Sequence, residues 1–366
     1  MAREGAPCEV GDAPPMTDTR NMIAETAERL FADHLDTATR VAAEAGTWPE
    51  ALWQEIANNG LDRVLEPEEA GGFGGDWGDA FVILRAAGKH AAPVPLAETI
   101  GASWLLTQAG LDAPQGIVTF AESGTIAILP DGENWCASGA LERVPWGNVA
   151  IVTLFDASHR GNRFMAQIGS SDVNITADRN IGRDPRDLFQ CDDTPVRARR
   201  VREDALPVFA VGALVRACQM SGAISEVLNL CVTYAGERVQ FGRPIATFQA
   251  IQQQLAILAG EAAAADMAAQ TACRALDRTG DARFEIASAK IRTGEAAGQA
   301  CAIAHQVFGA IGFTEEHHLH HLTRRLWSWR AEFGTESVWA QRLGRMVVEQ
   351  GADALWPGLT GLNASP

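Results

Sequence analysis

The chain reads as an α+β protein in three blocks: an N-terminal helical domain, a small antiparallel β domain, and a C-terminal helical bundle. Two periodicities and one length predict this. Apolar residues recur at helical three- and four-residue spacing in the first and last thirds of the chain. Between them, short runs rich in Val, Ile, Phe and Thr are punctuated by turn residues, the pattern of small strands. A length of 366 residues is enough for two or three domains with sizeable cores. The expected division is a disordered tail over 1–20, a helical domain over 21–113, a β domain over 114–208 and a helical bundle over 209–366.

In the first helical block, Ile23, Ala27, Leu30 and Phe31 form one apolar face, and Trp53, Ile56 and Leu61 another. The segment WPEALWQEIANNGL predicts a short amphipathic helix opened by Pro49 and closed around Gly60. EPEEAGGFGGDWGDA is a glycine-rich loop running into a helix; no strand leads into it, so it is not a phosphate-binding fingerprint. In the middle block the expected strands are 117–120, 125–129, 149–155, 163–168 and 173–177, separated by turns such as Asp131-Gly132 and Gly161-Asn162. In the last block Leu214, Ala217, Ile224, Leu228 and Cys231 define one helix, and Phe248, Ile251, Leu255 and Leu258 the next. Alanine-dense Glu261–Leu276 suits the centre of a bundle, and Glu285–Val307 is a further helix.

Composition excludes several classes of function. With 30 basic against 46 acidic residues the formal charge is -16, which disfavours nucleic acid and anionic membrane surfaces as partners. No apolar run is expected to reach the roughly 20 residues that span a bilayer, and the N-terminal stretch lacks the apolar core of a secretory signal. Seven scattered cysteines without C-x-x-C spacing fit reduced thiols in the cytoplasm. His317, His318, His320 and His321 invite a metal reading, but no cysteine or further histidine lies in sequence reach, so no metal is expected.

The most informative stretch is YAGERVQFGRPIATFQAIQQQL, from Tyr234 to Leu255. By pattern it is a helix–turn–helix corner, with Gly242 and Pro244 breaking the helix. It concentrates Arg238, Gln240, Arg243, Gln249, Gln252 and Gln253, donors suited to a phosphate-bearing ligand. Its Arg-x-x-Phe-Gly-Arg-Pro-Ile followed by Phe-Gln-Ala-Ile-Gln closely resembles the signature of the acyl-CoA dehydrogenase family. The likeness extends to LDRVLEPEEAGGFGG and HAAPVPLAETIGASWLL near the start and to QVFGAIGF near residue 310.

That resemblance implies an acyl-CoA dehydrogenase-like fold and FAD as cofactor. In the family, the matching Arg and Phe reach across a subunit interface to the adenosine pyrophosphate of a neighbour's FAD, and a Gln followed by Phe-Gly closes on the same cofactor. The resemblance therefore assigns cofactor binding to Arg238, Phe241, Gln306 and Gly309, with Gln249 added from the polar connector. A later family glycine falls on Ala310. The implied chemistry is α,β-desaturation of an acyl-CoA thioester, in which a carboxylate held within about 3 Å takes the α-proton.

The carboxylate is missing from both positions the family uses. Where one branch has Glu before Gly-Thr, this chain has Phe333 before Gly334-Thr335; Glu332 and Glu336 flank it, but a one-residue shift on a helix turns a side chain by roughly 100°. Where another branch has Glu, about seven turns upstream of the signature Arg, this chain has Gly212. The segment that holds the flavin ring in relatives is reduced to TFAESGTIAIL, which keeps Glu122 alone, and the Trp-Ile-Thr segment is replaced by Arg143-Val144-Pro145-Trp146. A proline there has no N–H to offer.

Residues that serve a neighbour's FAD are thus kept, and those that serve the chain's own are lost. The resemblance implies the non-catalytic β chain of a heteromeric α2β2 acyl-CoA dehydrogenase. Its expected partners are a homologous α chain bearing the base, an acyl-CoA such as a steroid side-chain thioester, and an electron-transfer flavoprotein. Two alternatives stay open at this level: a self-sufficient homo-oligomer using Glu332 or Glu336, and a structural paralogue that never touches cofactor.

Overall fold

The computed structural model describes residues 18–351 except Glu133, together with residues 353, 354 and 356. The expected tail lies outside the described residues up to residue 17; Asp18–Arg20 already begin the first helix, and Arg20 donates to Asp76 and Asp79.

Among the described residues, five α-helices open the fold: α1 (Asp18–His34), α2 (Thr37–Ala45), α3 (Glu50–Asn58), α4 (Trp77–Lys89) and α5 (Leu96–Ala109). Local chemistry sets their ends. Pro49 precedes α3, and Gly60 follows it at φ 67, a left-handed turn that costs glycine little. The glycine-rich loop delivers the chain to α4 through a capping box between Asp76 and Asp79.

The middle block holds β1 (Val118–Phe120), β2 (Ser123–Gly124), β3 (Ala127–Asp131), β4 (Asn134–Pro145), β5 (Val152–His159), β6 (Asn162–Gly169), β7 (Asn174–Thr176) and β8 (Arg186–Arg200). They form one sheet in the order β1-β5-β6-β8-β4-β2, with β3 on β4 and β7 on β8. The pairing corrects the antiparallel expectation at one edge, because β1 and β5 run parallel. β8 is the spine: its C-terminal part pairs with β6 and its N-terminal part with β4, so both halves of the sheet enclose a core of Leu141, Val144, Phe155, Ala166 and Phe189.

The C-terminal block contains α6 (Val208–Glu237), α7 (Gln249–Thr279), α8 (Arg283–Phe308), α9 (Leu319–Ala331) and α10 (Glu336–Gln350). α6 corrects the expectation that no apolar run is long enough to span a bilayer: by length and composition it is, but 89% of its most apolar window is buried among its neighbours. It crosses α4 at close range, where Gly88 abuts the backbone of Gln219 and Gly222 that of Arg85; a Cβ at either glycine would overlap main chain. The crossing makes α1, α3, α4 and α5 share one apolar core with the first half of α6 and with parts of α7 and α8.

Candidate functional site: an outward cradle and a filled pocket

The corner between α6 and α7 is a β-hairpin, which corrects the helix–turn–helix reading. β9 (Val239–Gln240) pairs antiparallel with β10 (Arg243–Pro244) around Phe241-Gly242. Both turn residues have positive φ, 52 and 80, the type I′ geometry that suits the strand twist. Glycine accepts that conformation; phenylalanine is strained in it. The turn holds Phe241 out, 92% exposed, with its ring edge on Phe248 at 6.1 Å. A strained, exposed aromatic side chain is costly unless something covers it.

Across a cleft of about 400 Å³ from the hairpin lies the end of α8. Arg238, Phe241, Gln306 and Gly309, separated by up to 71 positions in sequence, line this one cleft with Gln240, Tyr234 and Ala310. Gly309 caps α8 at φ 61, ψ -138, a conformation confined to glycine, and open space lies where its Cβ would be. Arg238 is exposed and forms no ion pair among the described residues. Gln249 starts α7 but is not among the residues lining the cleft. Of the other connector donors, Arg243 lies over the Phe248 ring at 4.4 Å and Gln252 donates to the Ala246 carbonyl at 3.0 Å. What remains free is a cationic, glycine-floored, aromatic-edged cradle facing away from the chain. Its donors and open backbone fit a dinucleotide pyrophosphate.

The two positions considered for a base are face to face. Phe333 follows α9 at φ 52, is 1% exposed, and presses its ring on Gly212 of α6 so closely that a Cβ there would overlap it. Phe120 meets that ring edge-on at 5.3 Å, Phe209 at 6.4 Å, and Arg216 lies 5.8 Å from its centre. Hydrogen bonds fix the turn: Phe333 N–H donates to Glu122 at 2.8 Å, and Trp339 donates to the Phe333 carbonyl at 2.7 Å. Through that bond Glu122 clamps this turn, and burial pushes its carboxyl pKa up. Pro145 and Trp146 are likewise tied into the sheet, the first accepting from Thr119 at 2.6 Å and the second donating to Pro185 at 3.2 Å.

Both flanking glutamates are committed to ion pairs. Glu332 is 1% exposed, receives Arg186 through two bonds of 2.8 and 2.9 Å, and also accepts from Arg216 at 2.8 Å and Asn180 at 2.9 Å. Burial alone would raise its pKa, but Arg186 and Arg216 outweigh burial and hold the carboxyl well below the usual range. Arg216 continues to Glu98 and, at 2.6 Å, to Gln219, so the network ties α5, α6, β8 and the turn after α9 together. Glu336 is paired to Arg330 at 2.5 Å. Under the same turn, fully buried Lys290 donates to the carbonyls of Trp329, Arg330 and Gly334, and burial pushes its pKa down to about 8. Pattern reading missed this network. Its visible signal was Arg216 inside the apolar run of α6, since a charge buried in a helix needs partners from elsewhere.

Of the histidines near residue 320, His321 belongs to another buried cluster. His321 meets Glu44 at 2.6 Å, and Glu44 also receives Arg324 at 2.7 Å and Arg183 at 3.2 Å. Arg325 bridges Glu44 and Asp184. Burial opposes ionisation of Glu44, and this crowd of donors reverses the effect.

Comparison with known proteins identifies the family. The acyl-CoA dehydrogenase N-terminal domain profile matches residues 17–115, and the C-terminal domain profile residues 203–348. The chain belongs to the acyl-CoA dehydrogenase family. The family is one of FAD-dependent oxidoreductases. Acyl-CoA dehydrogenase IpdE2 of Mycobacterium tuberculosis is 29% identical over 316 residues, 84% of this chain and 90% of that protein. A solved structure of a variant of the Tcur3481-Tcur3483 steroid ACAD superposes with TM-score 0.85 at 26% identity, covering 91% of this chain and 98% of that one. The ChsE4-ChsE5 complex from Mycobacterium tuberculosis shares the fold, with TM-score 0.84 at 21% identity over 92% of this chain and 99% of that one. The acyl-CoA dehydrogenase fold, with its β domain between two helical domains, is therefore common to this chain and to both solved structures.

Proposed function

We propose that this chain is the non-catalytic half of a heteromeric acyl-CoA dehydrogenase. It completes an FAD site shared with a homologous chain and leaves deprotonation of the acyl-CoA to that partner. The observation that carries the reading is the contrast between two places. At Gly212 and Phe333, where a base would stand, a phenyl ring fills the space against bare backbone. At Arg238, Phe241, Gln306 and Gly309, the groups stay uncommitted and point outward.

Arg238 would pair with the cofactor's pyrophosphate, Gly309 would let it approach the backbone, and Phe241 would be covered by the complex. Gln306 supplies an amide at the same wall. FAD, when bound, supplies the hydride acceptor for oxidation of the Cα–Cβ bond. This chain's contribution is to bind and orient, and to keep water from the cofactor's far end. Glu332 is consumed by Arg186 and Arg216, which weighs against a self-sufficient enzyme using it. The likeness to a solved steroid ACAD supports a bulky, ring-bearing acyl-CoA as substrate, and the family resemblance supplies an electron-transfer flavoprotein as the acceptor in this reading.

The test is the flavin content of the complex carrying Arg238→Ala. Loss of a charge-assisted contact worth about 1.5–3 kcal/mol weakens FAD binding roughly 10- to 100-fold. Undiminished flavin in a folded Arg238→Ala complex would refute the shared site.

A further inference from the structure

We propose that a pocket between the two helical blocks binds a small zwitterion, an α-amino acid of the size of alanine, with Arg40 taking its carboxylate and Glu226 its ammonium group. The pocket encloses about 150 Å³ where α2, the end of α4, α6 and α9 converge. By liquid volume that is room for about five waters. Ala91, Leu230 and Leu322 give it an apolar wall. Two of its polar groups are already satisfied, since Lys89 and His90 both meet Glu28, at 2.8 and 2.9 Å. Arg40 and Glu226 are not. The Arg40 guanidinium is half-buried and donates only to the His90 carbonyl, at 3.2 and 3.3 Å. The Glu226 carboxylate is half-buried too and accepts only from Asn229, at 3.2 Å. Neither forms an ion pair among the described residues, although burial and Arg325 push the Arg40 pKa down and the charge of Glu226 works against them. Two opposite charges thus face one small space without closing on each other.

The independent observation is His321, which is 3% exposed and lines the same pocket. Its Nδ1 lies 2.6 Å from the ionised Glu44. A carboxylate only accepts, so Nδ1 carries the hydrogen, and in the neutral ring Nε2 presents a lone pair. Nε2 has no hydrogen-bond partner among the described residues, yet it is not one of the sealed orphan atoms of the interior, so it opens on the pocket. The unmet groups are therefore one cation, one carboxylate and one buried acceptor. A half-buried charge without a counter-ion is costly. A carboxylate ligand alone would face Glu226 as a like charge, and an amine alone would leave the guanidinium bare. A molecule carrying both charges meets all three groups: its carboxylate accepts from Arg40, and its ammonium donates to Glu226 and to Nε2. The assignment does not depend on the shared-flavin reading, since no residue lining the FAD cradle lines this pocket.

Saturation-transfer NMR on the full chain reads the binding of L-alanine from its methyl signal. Propionate and ethylamine, each keeping one of the two charges, are the controls. Alanine is expected to bind saturably and about tenfold or more tighter than either, the effect of one charge-assisted contact. Arg40→Gln should erase its advantage over ethylamine, and Glu226→Gln its advantage over propionate. Glu226 makes no bond to another element, so its variant is expected to fold, and Arg40→Lys keeps the charge and should retain part of the selectivity. Glu68→Gln with Glu69→Gln, away from the pocket lining, should change nothing. Propionate or ethylamine binding as tightly as alanine, an unaltered alanine affinity in both charge variants, or no saturable alanine binding by the folded wild-type chain would each overturn the proposal.

Discussion

Replacing Glu332 with glutamine separates a structural acid from a catalytic one. The carboxylate is the only ion-pair partner of Arg186 among the described residues, and Arg186 is 3% exposed. Arg216 keeps Glu98. Glu332→Gln therefore strands one buried guanidinium, a change that costs about 3–5 kcal/mol. With an unfolding entropy of about 2.1 cal/mol/K per residue over 366 residues, that corresponds to a fall in Tm of roughly 4–7 °C. The pH dependence has a definite sign. The folded pKa of Glu332 is depressed, so its stabilisation is complete above the unfolded carboxylate pKa of about 4.3 and fades as pH falls below it. Thermal melts of wild type and variant should thus differ widely at pH 7 and converge under acid. A variant that melts like wild type at pH 7 but has lost turnover would refute the reasoning and restore Glu332 as the base.

The contact between Gly212 and Phe333 predicts strong coupling. Gly212→Ala alone should destabilise by about 1–3 kcal/mol through overpacking, and Phe333→Leu should recover part of that loss; additive denaturation energies in the double-mutant cycle would place the residues apart. Lys290 carries its own pH signature. Its folded pKa of about 8 lies below the unfolded value, so its contribution rises as pH climbs from 8 towards about 10.4. The stability gap between wild type and Lys290→Met should widen across that window, and a constant gap would contradict the burial of a charged amine.

Much of the fold is legible in periodicity. Ile23, Ala27, Leu30 and Phe31 are all buried on α1, and Pro49 and Gly60 bracket α3 as their backbone preferences require. The two longest strands, β4 and β8, escape the same reasoning. Their charged and proline residues dilute the apolar pattern, and register shifts between Ala137 and Gly139 and between Leu141 and Val144 break the two-residue alternation. The hairpin at Phe241 is too short to carry any period, and its turn shows itself only in backbone angles. At the site, Arg238 and Gln306 were joined by family resemblance, since no local rule brings positions 68 residues apart into one cleft. The Glu98–Arg216–Glu332–Arg186 network was hidden for a related reason: each charge is explicable only by partners on other elements.

The most direct test of the shared-site account is the flavin stoichiometry of the chain alone and of its complex with a homologous chain bearing the base. The account predicts a colourless chain without acyl-CoA oxidation by itself, and a yellow, active complex with one FAD for each pair of chains. A full FAD held by this chain alone, reduced by acyl-CoA in a single turnover, would contradict it.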